Sequence, residues 1–249
     1  MTSIAYAANR PIGLSCLKLL MDTGIMPKVL LLPEESVAEC AIEMEELATG
    51  VPVLRGKTLG GKEGLKLLKS LDLDYVISVH FPHIFPKELL ELPLIGVLNL
   101  HPAYLPWNRG WHTPSWAILD GTPFGGTLHW VDGGMDTGDI ALQKKVEILE
   151  TDTAHTLYQR ALASEIDIFR DAIPMLLKNE LPKVPQKKAG SSHKKTDLAS
   201  IQCLNNHEDK SILEVVKIIR ALTTSKPEEA AYFEKNGKTY SIRAEIAER

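Results

Sequence analysis

Residues 75–101, YVISVHFPHIFPKELLELPLIGVLNLH, decide the fold class. This segment predicts a buried strand over Tyr75–Val79, a short helix beginning at Pro86, and a second strand over Gly96–His101 that Pro102 ends. Further strands are predicted at 4–8, 29–32, 51–54, 127–131 and 140–146, and helices at 11–20, 37–47, 63–71, 113–119 and from Asp152 or Thr153 to about Pro174. Strands alternating with helices favour an α/β fold, with a Rossmann-like parallel sheet and helices on both faces.

The composition changes after residue 182. Residues 183–198 are rich in Pro, Gly, Ser and Lys, which predicts a linker. Beyond it, Ser211 and Glu214 form a capping-box pattern that opens a helix. Asn236-Gly237 lies between two strand-like runs and predicts a hairpin. We expect a main domain over 1–182, a linker over 183–198, and a small C-terminal helix and β-hairpin unit over 199–249.

Composition argues against several functional classes. The net charge of −4 and the lack of a long basic stripe argue against a nucleic-acid partner. Cys16, Cys40 and Cys203 show no paired spacing, so they give no metal or redox motif and favour a reducing compartment. No signal peptide is visible, and no apolar run reaches the ~18 residues of a membrane span. The sequence predicts a cytoplasmic protein that does not contact a membrane.

Three polar side chains are candidates for chemistry. Asn99 and His101 are two apart on a strand and project to the same face. They lie at a strand's carboxyl end, where parallel sheets place their ligand crevice. Asp136 lies in GGMDTGD, residues 133–139, whose glycines predict a tight turn. An amide donor, an imidazole and a carboxylate suit a reaction with a developing oxyanion and a moving proton.

The surrounding residues carry a resemblance to a known family. GVLNLHPAYLPWNRG, residues 96–110, and LHWVDGGMDTGDI, residues 128–140, resemble the formyltransferases that use 10-formyltetrahydrofolate. The catalytic Asn, His and Asp of that family match Asn99, His101 and Asp136. The resemblance implies a formyltransferase fold, a catalytic formyltransferase domain over 1–182, 10-formyltetrahydrofolate as cosubstrate, and no metal.

The expected roles follow from formyl transfer. The Asn99 amide would donate to the oxyanion of the tetrahedral intermediate. His101 would either donate to the same oxygen or act as base toward the amine, and the spacing does not choose between them. A nearby Asp136 carboxylate is expected to raise the pKa of the imidazole.

The family resemblance also assigns the cosubstrate side. It implies that Phe81, Pro82, His83 and Ile84 line the pterin pocket, and Asp132 is placed on the same side. Asp132 and Asp139 also suit structural turn residues. His80 and His83 in HFPH lack an acidic or cysteine partner, so no metal site is predicted.

The acceptor side points to one branch of the family. Residues 104–112, Trp116 and residues 219–222 resemble the sugar N-formyltransferases. The predicted substrate-binding residues are Tyr104, Trp107, Asn108, Arg109, Trp111, His112 and Arg10. The resemblance implies an acceptor that is a nucleotide-linked deoxyamino sugar, made for surface glycans such as O-antigen, and a homodimer through 200–249. Residues 111–116 depart from the branch pattern, so dTDP, UDP, GDP and CMP all stay open as the nucleotide.

Other functions also stay open. One is formylation of a carrier-bound aminoacyl group, of methionyl-tRNA or of glycinamide ribonucleotide. Another is a catalytically silent relative that binds folate or sugar.

Overall fold

A computed structural model describes residues 2–187 and 189–249. Lys188, inside the predicted linker, lies outside the described residues. The strands are β1 Ile4–Ala8, β2 Val29–Leu32, β3 Val53–Arg55, β4 Tyr75–Val79, β5 Gly96–His101, β6 Arg109–Gly110, β7 Phe124–Trp130, β8 Ile140–Val146, β9 Ser192–His193, β10 Ala231–Lys235 and β11 Lys238–Ile242. The α-helices are α1 Arg10–Asp22, α2 Ala41–Leu47, α3 Lys62–Lys69, α4 Lys87–Leu90, α5 Thr113–Asp120, α6 Ala154–Leu177 and α7 Ile212–Leu222.

Seven strands form the central sheet in the order β3-β2-β1-β4-β5-β7-β8. Strands β1 to β5 pair in parallel, which confirms the predicted α/β class. Strand β7 runs antiparallel to β5, because the chain re-enters the sheet at the end where β5 stops. This pairing places Asn99 opposite His129.

The chain forms two compact units, which do not follow chain order. The first contains residues up to His101 together with Thr127–Gln143 and Glu165–Gln186. The second contains Pro102–Gly126, Lys144–Ser164 and Lys187–Arg249. The predicted division into 1–182, 183–198 and 199–249 stays a prediction.

The first unit is built on buried parallel strands. Every residue of β1, β2 and β4 is buried, as expected for strands covered on both faces. Apolar side chains from these strands, from β5, α3 and α4, and from the segments between them form one core: Ala5, Ala7, Val29, Leu31, Leu59, Leu68, Leu73, Val76, Phe85, Leu89 and Val97.

In the second unit, α5, α6 and α7 share an apolar core that includes Ile118, Leu157 and Ala221. Ser211 and Glu214 form the predicted capping box of α7. Asn236 and Gly237, at φ of 53° and 70°, form the predicted hairpin turn between β10 and β11.

Several predicted elements differ from the structure, among them β3, which spans Val53–Arg55 rather than 51–54. The helix predicted over 37–47 is split into a 3₁₀ turn at Glu35–Val37 and α2, because Cys40 takes a left-handed φ of 58°. Helix α6 continues through Pro174 to Leu177. Strand β7 begins at Phe124 rather than at 127, and a Cβ on Gly125 would lie 2.1 Å from the Lys144 carbonyl oxygen. Gly125 therefore allows a close approach of the neighbouring strand.

Part of the predicted linker forms a short strand within the second unit. Ser192–His193 forms β9, which pairs in parallel with β6. Within residues 2–187 and 189–249, no helix is both long enough and apolar enough to cross a membrane.

We predict that Leu31→Ala lowers the free energy of unfolding by about 3 kcal/mol, because Leu31 is fully buried in the core of the first unit. Urea denaturation measures the change. Leu94→Ala is the control, since Leu94 is 85% exposed and should cost less than about 0.5 kcal/mol. Equal losses for both variants would contradict this packing.

Candidate active site

The site begins at the carboxyl end of β5. Asn99 and His101 alternate there with the buried Leu98 and Leu100, so both polar side chains share one face. His101 is 7% exposed. A strand end therefore presents an amide and a buried imidazole side by side.

The turn after β7 brings Asp136 to this face. Its carboxylate oxygens lie 3.5 Å from Nε2 of His101 and 3.5 Å from Nε2 of His129. Asp132 Oδ1 shapes the turn by accepting hydrogen bonds from the Gly134 amide at 2.8 Å and the Thr137 hydroxyl at 2.6 Å. The structure thus brings together all three predicted catalytic residues, and it gives Asp132 a clear role as a turn residue.

His129 is a site residue that sequence reasoning missed. Its Nδ1 donates to the Trp130 carbonyl at 2.8 Å, so Nε2 of the neutral ring is an acceptor. The Asn99 amide donates to that Nε2 at 3.2 Å. An amide nitrogen carries two hydrogens, so this contact uses one and fixes the direction of the other. Its position opposite Asn99 would have identified it, but that position is known only once β7 is known to run antiparallel to β5.

Burial dominates the electrostatics of His101. Desolvation lowers the pKa of the imidazole below its ordinary value, and the neighbouring Asp136 carboxylate opposes this without reversing it. His129 and His80 also lower the pKa, and Glu165 raises it. Asp136 raises the pKa as expected, but the pKa of the ring is lowered overall, because the cost of charging a buried ring exceeds the attraction of the carboxylate.

A second buried contact between a histidine and a carboxylate lies in the same unit. His80, immediately after β4, directs Nε2 at both carboxylate oxygens of Glu165, at 3.0 and 2.9 Å. The Glu165 side chain is fully buried, so the imidazole supplies the hydrogen bonding that a buried carboxylate requires. Neither residue was predicted as part of a site.

The segment predicted to bind the pterin follows His80. Phe81 stacks on Phe85 with ring centroids 5.5 Å apart, and the His83 ring meets Phe81 edge-on at 5.2 Å. His83 Nε2 lies 2.8 Å from a carboxylate oxygen of Glu34. Pro82 and Ile84 complete the segment, and Ile84 is 96% exposed. Strands β4 and β5 are parallel neighbours, and Val79 at the end of β4 pairs with Leu100. The segment therefore begins at the same end of the sheet as His101.

Arg10 lies after β1 in the first unit. Its backbone φ is 68°, and its guanidinium Nε is 3.7 Å from a Glu39 carboxylate oxygen. This ion pair gives Arg10 a structural partner.

The other predicted substrate residues all lie in the second unit. Asn108 is fully buried, and its amide donates to Thr122 Oγ1 at 2.9 Å, so it supports the loop from inside. The Arg109 backbone amide donates to the Ser191 carbonyl at 3.0 Å. Tyr104 and Trp107 are half-buried, and the Trp107 backbone amide donates to the Tyr104 carbonyl at 3.1 Å.

Trp111 is exposed, whereas the His112 ring is held by contacts within the protein. Trp111 is 40% exposed, and Lys195 Nζ lies 5.2 Å from its ring centroid. His112 Nδ1 is 3.7 Å from a Glu229 carboxylate oxygen, and its Nε2 contacts the Lys195 carbonyl at 3.1 Å. Residues 191–195, predicted as linker, thus pack against the predicted acceptor loop.

Across the part of the chain that the structure describes, no group of three or more His, Cys, Asp or Glu side chains could hold a metal ion.

Comparisons with known proteins agree with this geometry. The family model described as formyl transferase matches residues 30–173, more than half of the chain. A second model, described as the N-formyltransferase dimerization C-terminal domain, matches residues 197–248. A methionyl-tRNA formyltransferase from Alkaliphilus oremlandii is 29% identical over 198 residues, which cover 76% of this chain and 64% of that protein. The chain thus spans less than two thirds of that relative's length.

Solved structures share the fold. A sugar N-formyltransferase from Shewanella sp. FDAARGOS_354 has a TM-score of 0.85 at 21% identity, over 100% of this chain and 99% of that one. The formyltransferase PseJ from Anoxybacillus kamchatkensis, in complex with UDP-4,6-dideoxy-4-formamido-L-AltNAc and tetrahydrofolate, has a TM-score of 0.57 at 25% identity. The match with PseJ covers 88% of this chain and 98% of the PseJ chain. By its family match, its fold and its strand-end cluster, the chain belongs to the formyl transferase family.

Proposed function

We propose that the protein transfers a formyl group from 10-formyltetrahydrofolate to the amine of a nucleotide-linked deoxyamino sugar. The observation that carries the proposal is the cluster of Asn99, His101 and Asp136 at one strand end, in a chain of the formyl transferase family. Its predicted setting is the cytoplasm, and its predicted product serves surface glycans such as O-antigen.

The proposed reaction needs neither oxidant nor metal. The amine nitrogen attacks the formyl carbon, and the carbonyl electrons move onto oxygen. Collapse of this intermediate breaks the bond between the formyl carbon and N10 of the folate. The amine loses one proton and N10 gains one, so the site must hold an oxyanion and relay a proton.

Three side chains have separate roles in this reaction. Asn99, oriented by His129, donates its remaining amide hydrogen to the oxyanion. His101 takes the proton from the amine, a role supported by the lowered pKa that keeps the ring neutral at pH 7. Asp136, 3.5 Å away, stabilises the imidazolium that forms.

The segment after β4 is assigned to the folate cosubstrate. Phe81, Pro82, His83 and Ile84 would contact the pterin. These residues follow β4, and β4 ends at the same end of the sheet as β5. This position near the catalytic cluster supports the assignment.

Likeness to known proteins supports the assignment of the acceptor. The fold matches that of the Shewanella sugar N-formyltransferase over the whole of this chain, and residues 197–248 match the N-formyltransferase dimerization C-terminal domain. The sugar nucleotide is therefore the acceptor that we propose.

The proposal is tested by incubating the protein with 10-formyltetrahydrofolate and separate acceptors. These are dTDP-, UDP-, GDP- and CMP-linked amino sugars, methionyl-tRNA, glycinamide ribonucleotide and an aminoacylated carrier protein. Mass spectrometry should detect the gain of one CO on a sugar nucleotide. Formylation of methionyl-tRNA alone would contradict the sugar proposal, and folate binding without any transfer would indicate a silent relative.

We predict that Asn99→Ala, His101→Ala and Asp136→Ala each lower kcat at least about 100-fold while the fold is kept, because each removes a group that acts on the reacting atoms. Steady-state kinetics and circular dichroism measure the two effects. Asp139→Asn is the control, since this carboxylate lies in the same turn but outside the cluster. A His101 variant with the wild-type rate would refute the catalytic assignment.

We also propose that the protein is a homodimer through residues 200–249. The match of residues 197–248 to a dimerization domain supports this, as do Ile212 and Leu213 on α7, which are 82% and 81% exposed. The second copy is the expected occupant of this apolar surface.

We predict that light scattering gives the mass of two chains, and that Leu213→Glu gives the mass of one because it places a charge in the interface. Leu94→Glu, at a residue 85% exposed in the first unit, should leave the dimer intact. A wild type with the mass of one chain would contradict the dimer.

A further inference from the structure

Gln186 contacts the turn that carries Asp136. Its side-chain Nε2 donates to the Asp136 carbonyl at 2.8 Å and to the Gly138 carbonyl at 2.7 Å. A primary amide has two N–H donors, so one side chain can satisfy both carbonyls at once. Gln186 therefore holds the backbone on both sides of Thr137.

The turn requires such support because its backbone is unfavourable. Asp136 has a φ of 54°, in the left-handed region that non-glycine residues rarely adopt. A Cβ on Gly138 would lie 1.9 Å from the Trp130 carbonyl oxygen, so the turn also passes tightly against β7. Strained conformations persist only where surrounding contacts fix them.

The position of Gln186 is itself fixed. Two residues earlier, Val184 exchanges backbone hydrogen bonds with Ile140, at 2.8 and 3.0 Å. Ile140 begins β8, directly after the turn. The segment after α6 is thus bound to the end of the turn, which places the Gln186 amide against its carbonyls.

We propose that Gln186 is a positioning residue for catalysis, which acts through Asp136 by fixing the turn that places its carboxylate between His101 and His129. It touches neither substrate in this account. The inference rests on the catalytic role proposed above for Asp136.

The test variant is Gln186→Met, which keeps the length of the side chain and removes both donors. We expect kcat to fall about 100-fold, the effect of displacing a reacting group by about 1 Å, while KM for both substrates changes less than about threefold. Gln186→Leu provides a second apolar replacement if the Met variant does not fold.

A pH profile separates positioning from a general loss of structure. Of the groups that act on the His101 pKa, Asp136 and Glu165 raise it, while His129 and His80 lower it. If the Asp136 carboxylate moves away, the acid limb of kcat/KM should shift to lower pH in Gln186→Met. A kcat loss without this shift would overturn the proposal.

Gln202→Met is the matched control. The Gln202 amide also contacts two carbonyls, those of Glu228 at 2.9 Å and Ala230 at 3.4 Å, but it lies in the second unit. It should keep the wild-type kcat and acid limb. If Asp136→Asn is inactive and Gln186→Met is fully active, the positioning role of Gln186 is refuted while the catalytic role of Asp136 is kept. If Asp136→Asn is fully active, the proposed catalytic site fails.

Discussion

The antiparallel pairing of β5 with β7 is the constraint on which the site depends. It sets His129 directly across from Asn99, so that an imidazole with a fixed tautomer orients the amide. The turn that follows β7 then returns Asp136 to the same two strands, 3.5 Å from both His101 and His129. In a purely parallel arrangement, β7 would begin beside the amino end of β5 rather than beside its carboxyl end, where the chain re-enters the sheet.

Burial and charge compete at His101, and burial prevails. A ring only 7% exposed loses the hydration that a charged form requires, which lowers its pKa. The Asp136 carboxylate offsets part of that loss and would become most effective when the imidazole gains a proton during turnover. The arrangement suits a base that is neutral at rest and stabilised once charged.

The sequence predicted the parallel core well because hydrophobic runs and turn residues are local signals. Strands β1, β2, β4 and β5 begin and end where predicted. Asn99 and His101 were found because the period of a strand fixes their common face. His129 and Gln186 were missed because their roles depend on which strands and loops become neighbours. The effect of Asp136 on the His101 pKa was predicted with the right sign, but the larger effect of burial was not, because the degree of burial depends on tertiary packing.

The role of His101 as a base that is neutral at rest is tested most directly by titrating it in the resting protein by NMR with ¹⁵N-labelled histidine, assigned with the His101→Ala variant. We expect a pKa below the ordinary value of about 6.5, and a still lower pKa in Asp136→Asn, where the neighbouring negative charge is lost. A pKa at or above that ordinary value would contradict the central claim, because the ring would then be substantially charged before the amine arrives.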